Sequence, residues 1–150
     1  MFLLRKIGSV LRGNASPLQI MLATVLGGLL GFVPGFCLPG DLGGGFLQAP
    51  ALILLLLILA LVWNANLALF GLTLLVSKMA SFAMLPLSYR IGRWLLDGPL
   101  QETFRGLING PVTAWCGLEY YATAGGLTMG LGFGMTSGGV MLKVMKLIRS

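Results

Sequence analysis

Residues 51–63 read ALILLLLILALVW, an almost unbroken aliphatic run. Phe46 and Leu47 extend it upstream across Pro50, so the apolar segment 46–63 approaches the ~20 residues that a helix needs to cross a ~30 Å hydrocarbon layer. The same criterion predicts three more membrane-embedded helical segments. They are residues 18–36, 65–87 and 112–142.

The composition of the 150-residue chain points to the same class of protein. The hydrophobic set makes up 57% of the chain, charged residues make up 9%, and the mean hydropathy is +0.93. Soluble domains carry about 25% charged residues, so a soluble protein of this size could not cover itself. We therefore predict an all-α membrane protein with one integral membrane domain over residues 1–150. It would contain about four hydrophobic helical segments, one or two of them re-entrant or broken.

Two further segments are predicted to lie outside the hydrocarbon layer. Residues 1–14 form an interfacial amphipathic helix, because at 100° per residue the leucines fall on one arc and Arg5 and Arg12 fall opposite. Residues 88–111 are predicted to be a polar linker. In it, Asp97-Gly98-Pro99 makes a turn into a short helix that includes Glu102 and Arg105.

The net charge of +6 is distributed in short basic groups that bracket the apolar runs. Nucleic-acid binders instead concentrate positive charge on one folded face or arm, so the pattern excludes nucleic acid as a partner. Lysine and arginine at the ends of hydrophobic stretches are typical of contacts with anionic lipid head groups. The predicted head-group contacts are Arg5, Lys6, Arg12, Arg90, Arg93, Lys143, Lys146 and Arg149.

The charges leave two topologies open, both with a cytoplasmic N-terminus. If all four segments cross, the two terminal basic groups share one side, and Arg90, Arg93 and Arg105 lie on the other. If residues 18–47 and 112–142 each enter and return, all these cations lie on the cytoplasmic side, which fits the positive-inside rule better. The spacing of glycines in the last segment favours a continuous helix instead.

Two ladders of glycine at four-residue spacing are the most specific pattern in the chain, and Gly28 lies beside the first of them. Small residues at this spacing let helix backbones approach closely enough to associate in lipid, as in a glycine zipper. We predict that the two ladders pack against each other or against a partner protein. The helix-packing glycines are Gly27, Gly31, Gly35, Gly126, Gly130, Gly134 and Gly138.

Lys78 lies inside the third hydrophobic segment, where an ammonium group costs on the order of 2.5–3.5 kcal/mol unless it is paired or snorkels. The candidate polar intramembrane site comprises Lys78 and the carboxylates Glu119 and Asp41, with carbonyls of the broken segment 31–45 as alternative acceptors. Such a site would meet an anionic group, for example a lipid phosphate. The alternatives are a lysine that snorkels from a tilted helix, and a broken segment that is a solvated loop.

The sequence is poorly equipped for catalysis. It has no histidine, and its four acidic residues are scattered without a pair at catalytic or metal-ligand spacing. Cys37 and Cys116 have no CxxC spacing. We predict that the protein is not an enzyme and has no catalytic residue, metal or cofactor.

Residues 16–96 resemble the small bacterial inner-membrane proteins grouped under a domain of unknown function, family 2062. The resemblance covers a little over half of the chain. It rests on Ser16-Pro17, GGLLGFVP at residues 27–34, the WNAN turn at 63–66 and the region around Gly92. Lys78 departs from it, because an Asn-Pro type of break would be expected there. The family has no established activity, and some relatives look like members of gene pairs with a large membrane-anchored envelope protein.

The resemblance therefore implies a multi-pass protein of the bacterial inner membrane with a partner. We expect a non-enzymatic subunit of an envelope or lipid-handling complex, in contact with the lipid bilayer and with a larger membrane-anchored protein or further copies of itself. The alternative is a translocator of a lipid or a small anionic solute that uses the broken segment 31–45 and Lys78.

Overall fold

The structure, a computed structural model, describes residues 15–34 and 49–149, apart from the side chain of Arg149. Some predictions fall outside the described residues. They are the amphipathic helix 1–14 with Arg5, Lys6 and Arg12, and also Gly35, Asp41 and the rest of the broken segment beyond Pro34. Every described element is helical, and this part of the chain contains no strand. The predicted all-α class is therefore confirmed for it.

Six α-helices and a short 3₁₀ helix make up the described fold. In chain order they are α1 (Pro17–Phe32), α2 (Pro50–Val62), α3 (Leu67–Ala83), α4 (Leu85–Asp97), α5 (Gln101–Ile108), the 3₁₀ helix Thr113–Cys116 and α6 (Tyr121–Arg149).

Local sequence signals fix both ends of α1. The Ser16 hydroxyl accepts the N–H of Gln19 at 3.2 Å, and the Gln19 side chain accepts the N–H of Ser16 at 3.2 Å, which completes a capping box. Pro17 occupies the first helical turn, where its missing N–H is not needed. The helix ends at Phe32 because Pro34 forces Val33 into an extended conformation.

The WNAN sequence makes the tight connection between α2 and α3. Asn64 has a positive φ of 48°, a left-handed conformation that asparagine tolerates better than most residues. The N–H of Ala65 then bonds to the carbonyl of Ala60, and that of Asn64 to Leu61, as in a Schellman motif. The Asn66 side chain caps α3 by accepting the N–H of Leu69.

Helices α3 and α4 are bent by 83° relative to each other at Met84. Pro86 lies in the first turn of α4, where it removes a backbone donor and cannot continue the preceding helix. Predicted segment 65–87 therefore ends as a straight helix at Ala83. The predicted polar linker 88–111 contains most of α4 and all of α5; α4 buries Ser88, Gly92 and Leu95 on one face, whereas α5 has no buried residue.

Helix α1 lies between α3 and α6. Gly27 is close to Phe70 and Gly31 is close to Ser77, so α1 and α3 run parallel. Gly126 is close to Phe32, whereas Gly134 is close to Val25, so α1 and α6 are antiparallel. Helix α4 packs against the first turns of α6.

Helix α6 is unbroken over 29 residues, which corresponds to a length of about 43 Å. Within the described residues it is long and apolar enough by itself to cross a membrane, and α3 with α4 meets the same criterion only as a bent pair. The predicted segment 112–142 thus starts late, because Thr113–Cys116 is a 3₁₀ helix and Gly117 adopts a left-handed conformation. Residues 121–149 form one continuous helix without a return loop.

Candidate functional site

The interface between α1 and α6 is built on direct backbone contact. A Cβ added to Gly28 would lie 2.6 Å from the carbonyl oxygen of Gly130 and 2.9 Å from the Cα of Gly134. A Cβ on Gly130 would in turn lie 2.7 Å from the carbonyl oxygen of Gly28. Real Cβ atoms do not come this close to backbone atoms, so a side chain at these positions would force the helices apart.

The first glycine ladder does not meet the second. Gly27 and Gly31 face α3, where a Cβ on Gly27 would lie 2.8 Å from the carbonyl oxygen of Phe70. Gly28 instead faces α6, because one residue corresponds to a rotation of 100° around the helix axis. The two ladders were predicted to pack against each other or against a partner protein; in the structure the described glycines of the first ladder pack against α3, and Gly28 beside them contacts the second ladder.

The two end glycines of the second ladder also pack against α1. A Cβ on Gly126 would lie 2.5 Å from the carbonyl oxygen of Phe32, and one on Gly138 would lie 2.5 Å from the hydroxyl of Thr24. Gly132 and Gly139, on the outer side of α6, have no atom within 4 Å of such a Cβ. The described ladder glycines are thus covered by α1 and α3 rather than left open.

Lys78 is half-buried near the end of α3, and its ammonium group donates a hydrogen bond to the carbonyl oxygen of Val33 at 2.6 Å. Val33 is the last residue before Pro34 and caps α1, whose final carbonyls lack helical partners. A cation at this position also complements the negative end of the helix dipole. Lys78 therefore joins the ends of α1 and α3.

The predicted carboxylate partners are not found beside Lys78 in the described structure. Glu119 is exposed and lines a shallow groove of about 190 Å³ between α4, α5 and the start of α6, together with Asp97 and Arg105. It forms no ion pair with Lys78. Asp41 lies outside the described residues. Of the predicted acceptors, a carbonyl at the start of the broken segment binds Lys78.

Two hydroxyl groups are buried without a hydrogen-bond partner among the described residues. The Ser77 hydroxyl lies next to Lys78 in the chain, on the face of α3 that contacts Gly31, and Thr123 belongs to the first turn of α6. Neighbouring hydroxyls, such as that of Thr73, instead bond to the carbonyl four residues earlier in their own helix. The unpaired Ser77 hydroxyl therefore lies at the junction of α1 and α3, next to Lys78.

Helices α4 and α6 also pack closely through small residues. A Cβ on Gly92 would overlap the carbonyl of Tyr121, and one on Gly125 would overlap the carbonyl of Ser88. The Ser88 hydroxyl also donates to the sulfur of Met129 at 3.2 Å. In the sequence, the spacing of four between Ser88 and Gly92 is the signal for this small-residue face.

A polar cluster closes the same interface at its exposed end. The Tyr121 hydroxyl lies 3.0 Å from both carboxylate oxygens of Asp97, and the Arg93 Nε lies 3.8 Å from Asp97. The ring of Tyr89 packs edge-on against Tyr121 with centroids 5.4 Å apart. These exposed contacts fix the orientation of α4 more than they stabilise the fold.

Arg90 has a different environment from Arg93. It is exposed, forms no ion pair with any described residue, and borders a groove of about 330 Å³ at the bend between α3 and α4. The other lining residues are Ala83, Met84, Pro86 and Leu87, all apolar. Lys143 and Lys146 are exposed near the end of α6, about 33 Å and about 37 Å along the axis from Tyr121.

The outer surface of the fold is strongly apolar. Helix α2 contains no polar side chain, and it buries only Leu52, Ile53, Leu56 and Ala60. Exposed large side chains continue over α3 and α6. The exposed large side chains of α2, α3 and α6 include Leu54, Leu57, Ile58, Leu61, Leu75, Val76, Met79, Leu131, Met135 and Val140.

The described residues contain no group of three or more histidine, cysteine, aspartate or glutamate side chains that could hold a metal ion. Cys116 is buried, and this burial raises the pKa of its thiol. A comparison with family models, with curated proteins and with solved structures finds no match to the chain.

Proposed function

We propose that this chain is a multi-pass protein of the bacterial inner membrane and a non-enzymatic subunit of an envelope or lipid-handling complex. The observation that carries the proposal is α2, a helix that is apolar on all sides and yet has six of its 13 residues exposed. A helix of this kind belongs in a lipid bilayer or against another protein. Exposure of these residues to water would be unfavourable.

The unbroken α6 supports a full crossing by this helix rather than a re-entrant hairpin, and we propose four crossings in all. Helix α4 packs at the start of α6, while Lys143 lies about 33 Å further along the same axis, a distance close to the ~30 Å of a hydrocarbon layer. Arg93 and Lys143 would therefore face opposite sides. With the N-terminus cytoplasmic, the larger number of basic residues lies on the cytoplasmic side, as the positive-inside rule favours.

Cysteine accessibility tests this topology. In a background without Cys37 and Cys116, a cysteine at Arg93 and one at Lys146 should react with a membrane-impermeant maleimide from opposite sides of sealed vesicles. Labelling of both from the same side would reject the four-crossing arrangement. Recovery of the protein in the soluble fraction without detergent would reject the membrane location as well.

Partner docking must use a surface other than the glycine ladders, because α1, α3 and α6 cover the described glycines. We assign this role to the exposed face of α2 that contains Leu54, Ile58 and Leu61, which lie on one side at helical spacing. The occupant is a larger membrane-anchored protein or a second copy of the chain.

Affinity purification from native membranes in mild detergent tests the subunit role. The wild type should retain one partner in fixed stoichiometry, and alanine at Leu54, Ile58 and Leu61 should release it. Alanine at Leu131 and Met135, which are equally exposed on α6, is the matched control and should keep the partner. Retention by both variants, or no stoichiometric partner for the wild type, would reject docking through α2.

A second candidate function is translocation of a lipid or a small anionic solute. The observation in its favour is the half-buried Lys78 beside the unpaired Ser77, at the point where α1 ends and the broken segment starts. Reconstituted protein should then move a fluorescent anionic phospholipid across a vesicle membrane. Lys78→Ala should abolish this activity, whereas full activity of that variant would remove Lys78 from the mechanism.

A further inference from the structure

The bend between α3 and α4 forms a groove with one cation at its edge. Four apolar residues and Arg90 line it, and Arg90 has no ion-pair partner among the described residues. The neighbouring Arg93 shares its charge with Asp97 one turn further on. Arg90 is thus the uncompensated charge on α4, in direct contact with an apolar depression.

The 83° bend gives this groove a defined depth in a membrane. Helix α3 is apolar and would stand in the hydrocarbon layer, whereas α4 buries Ser88, Gly92 and Leu95 on one side and carries its arginines on the exposed surface. Helix α4 packs beside the first turns of α6, with Gly92 against Tyr121 and Ser88 against Gly125, so Arg90 lies about one helical turn from the start of α6. The groove at the corner would therefore lie at the boundary between acyl chains and head groups.

We infer that this groove binds one anionic glycerophospholipid, with its phosphate on Arg90 and one acyl chain in the apolar groove. The inference rests on the membrane location proposed above. The guanidinium supplies paired N–H donors that match a phosphate, and the charges are complementary. The acyl chain would continue along α3 over the exposed side chains of Met79 and Leu75. The bound lipid would occupy one defined site, whereas a basic surface attracts anionic lipids without a defined position.

Trp94 provides a reporter for this site. It lies four residues after Arg90, on the same face of α4, and is 61% exposed. The chain contains two other tryptophans, Trp63 and Trp115, and both are exposed, so phenylalanine can replace them without disturbing the core. The resulting protein fluoresces from one position next to the groove.

The experiment reconstitutes this single-tryptophan protein in vesicles that mix phosphatidylcholine and phosphatidylglycerol, with bromine atoms on the acyl chains of one lipid or the other. Brominated phosphatidylglycerol should quench Trp94 in about fivefold preference to brominated phosphatidylcholine, the ratio expected for one basic residue at an anionic surface. Arg90→Gln should bring the ratio to about 1, and Arg90→Lys should keep part of it. Ala83→Phe, which fills the groove at an exposed position, should also lower the ratio.

Arg105→Gln is the matched control, since it removes the same charge from α5 beside the other groove. It should leave the preference unchanged. Equal quenching by the two lipids in the wild type, or an equal loss of preference in the Arg90 and Arg105 variants, would overturn the lipid site and leave the membrane location intact. No quenching of Trp94 by either lipid, and none of a protein that retains only Trp63, would overturn the membrane location and the site together.

Discussion

Helices α1 and α2 reverse the usual relation between hydrophobicity and burial. Helix α2 is the more hydrophobic, with no polar or glycine residue, yet six of its large side chains are exposed: Leu54, Leu55, Leu57, Ile58, Leu61 and Val62. Helix α1 contains three glycines and a threonine, and from residue 19 to its end none of its residues is exposed. In water the leucine-rich helix would be expected inside.

The reversal has a simple physical explanation if lipid is the solvent, as we propose. Lipid tails are as apolar as leucine, so burying α2 would gain little, whereas glycine faces allow close backbone contact and dispersion between helices. Position in the bundle is then decided by the size of side chains.

The largest effect is expected for Gly28→Leu. Its side chain would have to displace the backbone of Gly130 and Gly134, which cannot rotate away as a flexible side chain can. We expect α1 and α6 to separate. The free energy of unfolding should fall by more than ~3 kcal/mol, which exceeds the usual cost of overpacking. Unfolding in mixed micelles with increasing dodecyl sulfate measures this loss.

Gly132→Leu is the control for this experiment, because a Cβ at Gly132 meets open space. It should change the free energy of unfolding by less than ~0.5 kcal/mol, as most surface substitutions do. Similar midpoints for the two leucine variants would mean that α1 and α6 are not held together by these glycines.

The glycine spacing in the sequence predicts that these helices pack closely, but it does not identify which helix each glycine contacts. The four-residue spacing from Gly126 to Gly138 indicates one face of a continuous helix, and α6 is such a helix. The spacing does not reveal which helix lies opposite, because that depends on tertiary contacts. Gly27 and Gly28 look equivalent in the sequence but face α3 and α6, and the acceptor of Lys78 is a carbonyl that carries no sequence signal.

The helix boundaries show the same division. Caps at Ser16 and Asn66 and the break at Pro34 are local signals for the corresponding helix ends, although the predicted segment 18–36 extended past the end of α1 at Phe32. The packing face of α4 could not be recognised by hydropathy, because it consists of Ser88, Gly92 and Leu95 and the arginines lie on the opposite, exposed side, so the sequence suggested a linker. Gly92 packs against α6 through its lack of a side chain, which hydropathy does not register.

The next effect tests the exposed side of the comparison. Ile58→Lys places an ammonium on α2 at a position that is 54% exposed. In water this change would be nearly neutral, whereas near the centre of a bilayer it should cost ~2–3 kcal/mol. The yield of protein in the membrane fraction and the unfolding midpoint should both fall, with Ile58→Met as the control. An unchanged midpoint and yield would place the outer face of α2 in water.

A smaller effect is expected at the junction of α1 with α3. Lys78→Met removes the donor to the Val33 carbonyl, which costs ~1–2 kcal/mol when the acceptor is left unpaired. Removal of a half-buried ammonium offsets part of this loss, so a net destabilisation of ~1 kcal/mol is expected. Lys78→Arg retains a donor and should stay within ~0.5 kcal/mol of the wild type. A methionine variant more stable than the wild type would show that the lysine is present for a reason other than stability.

The smallest effect concerns how firmly α2 is held. The 3₁₀ helix that ends at Cys116 packs against α2, and Cys116 belongs to the same buried cluster as Ala49 and Leu52. Burial raises the pKa of this thiol, so at neutral pH it is more fully protonated than a free thiol, and only the thiolate reacts. In a Cys37→Ser background, maleimide should therefore label Cys116 slowly, and faster as the pH rises. Cysteine at the exposed Trp115, with Cys116→Ser, is the control and should react at least about tenfold faster. Equal rates would mean that α2 detaches readily, because its leucines lose little when lipid replaces the packing they leave.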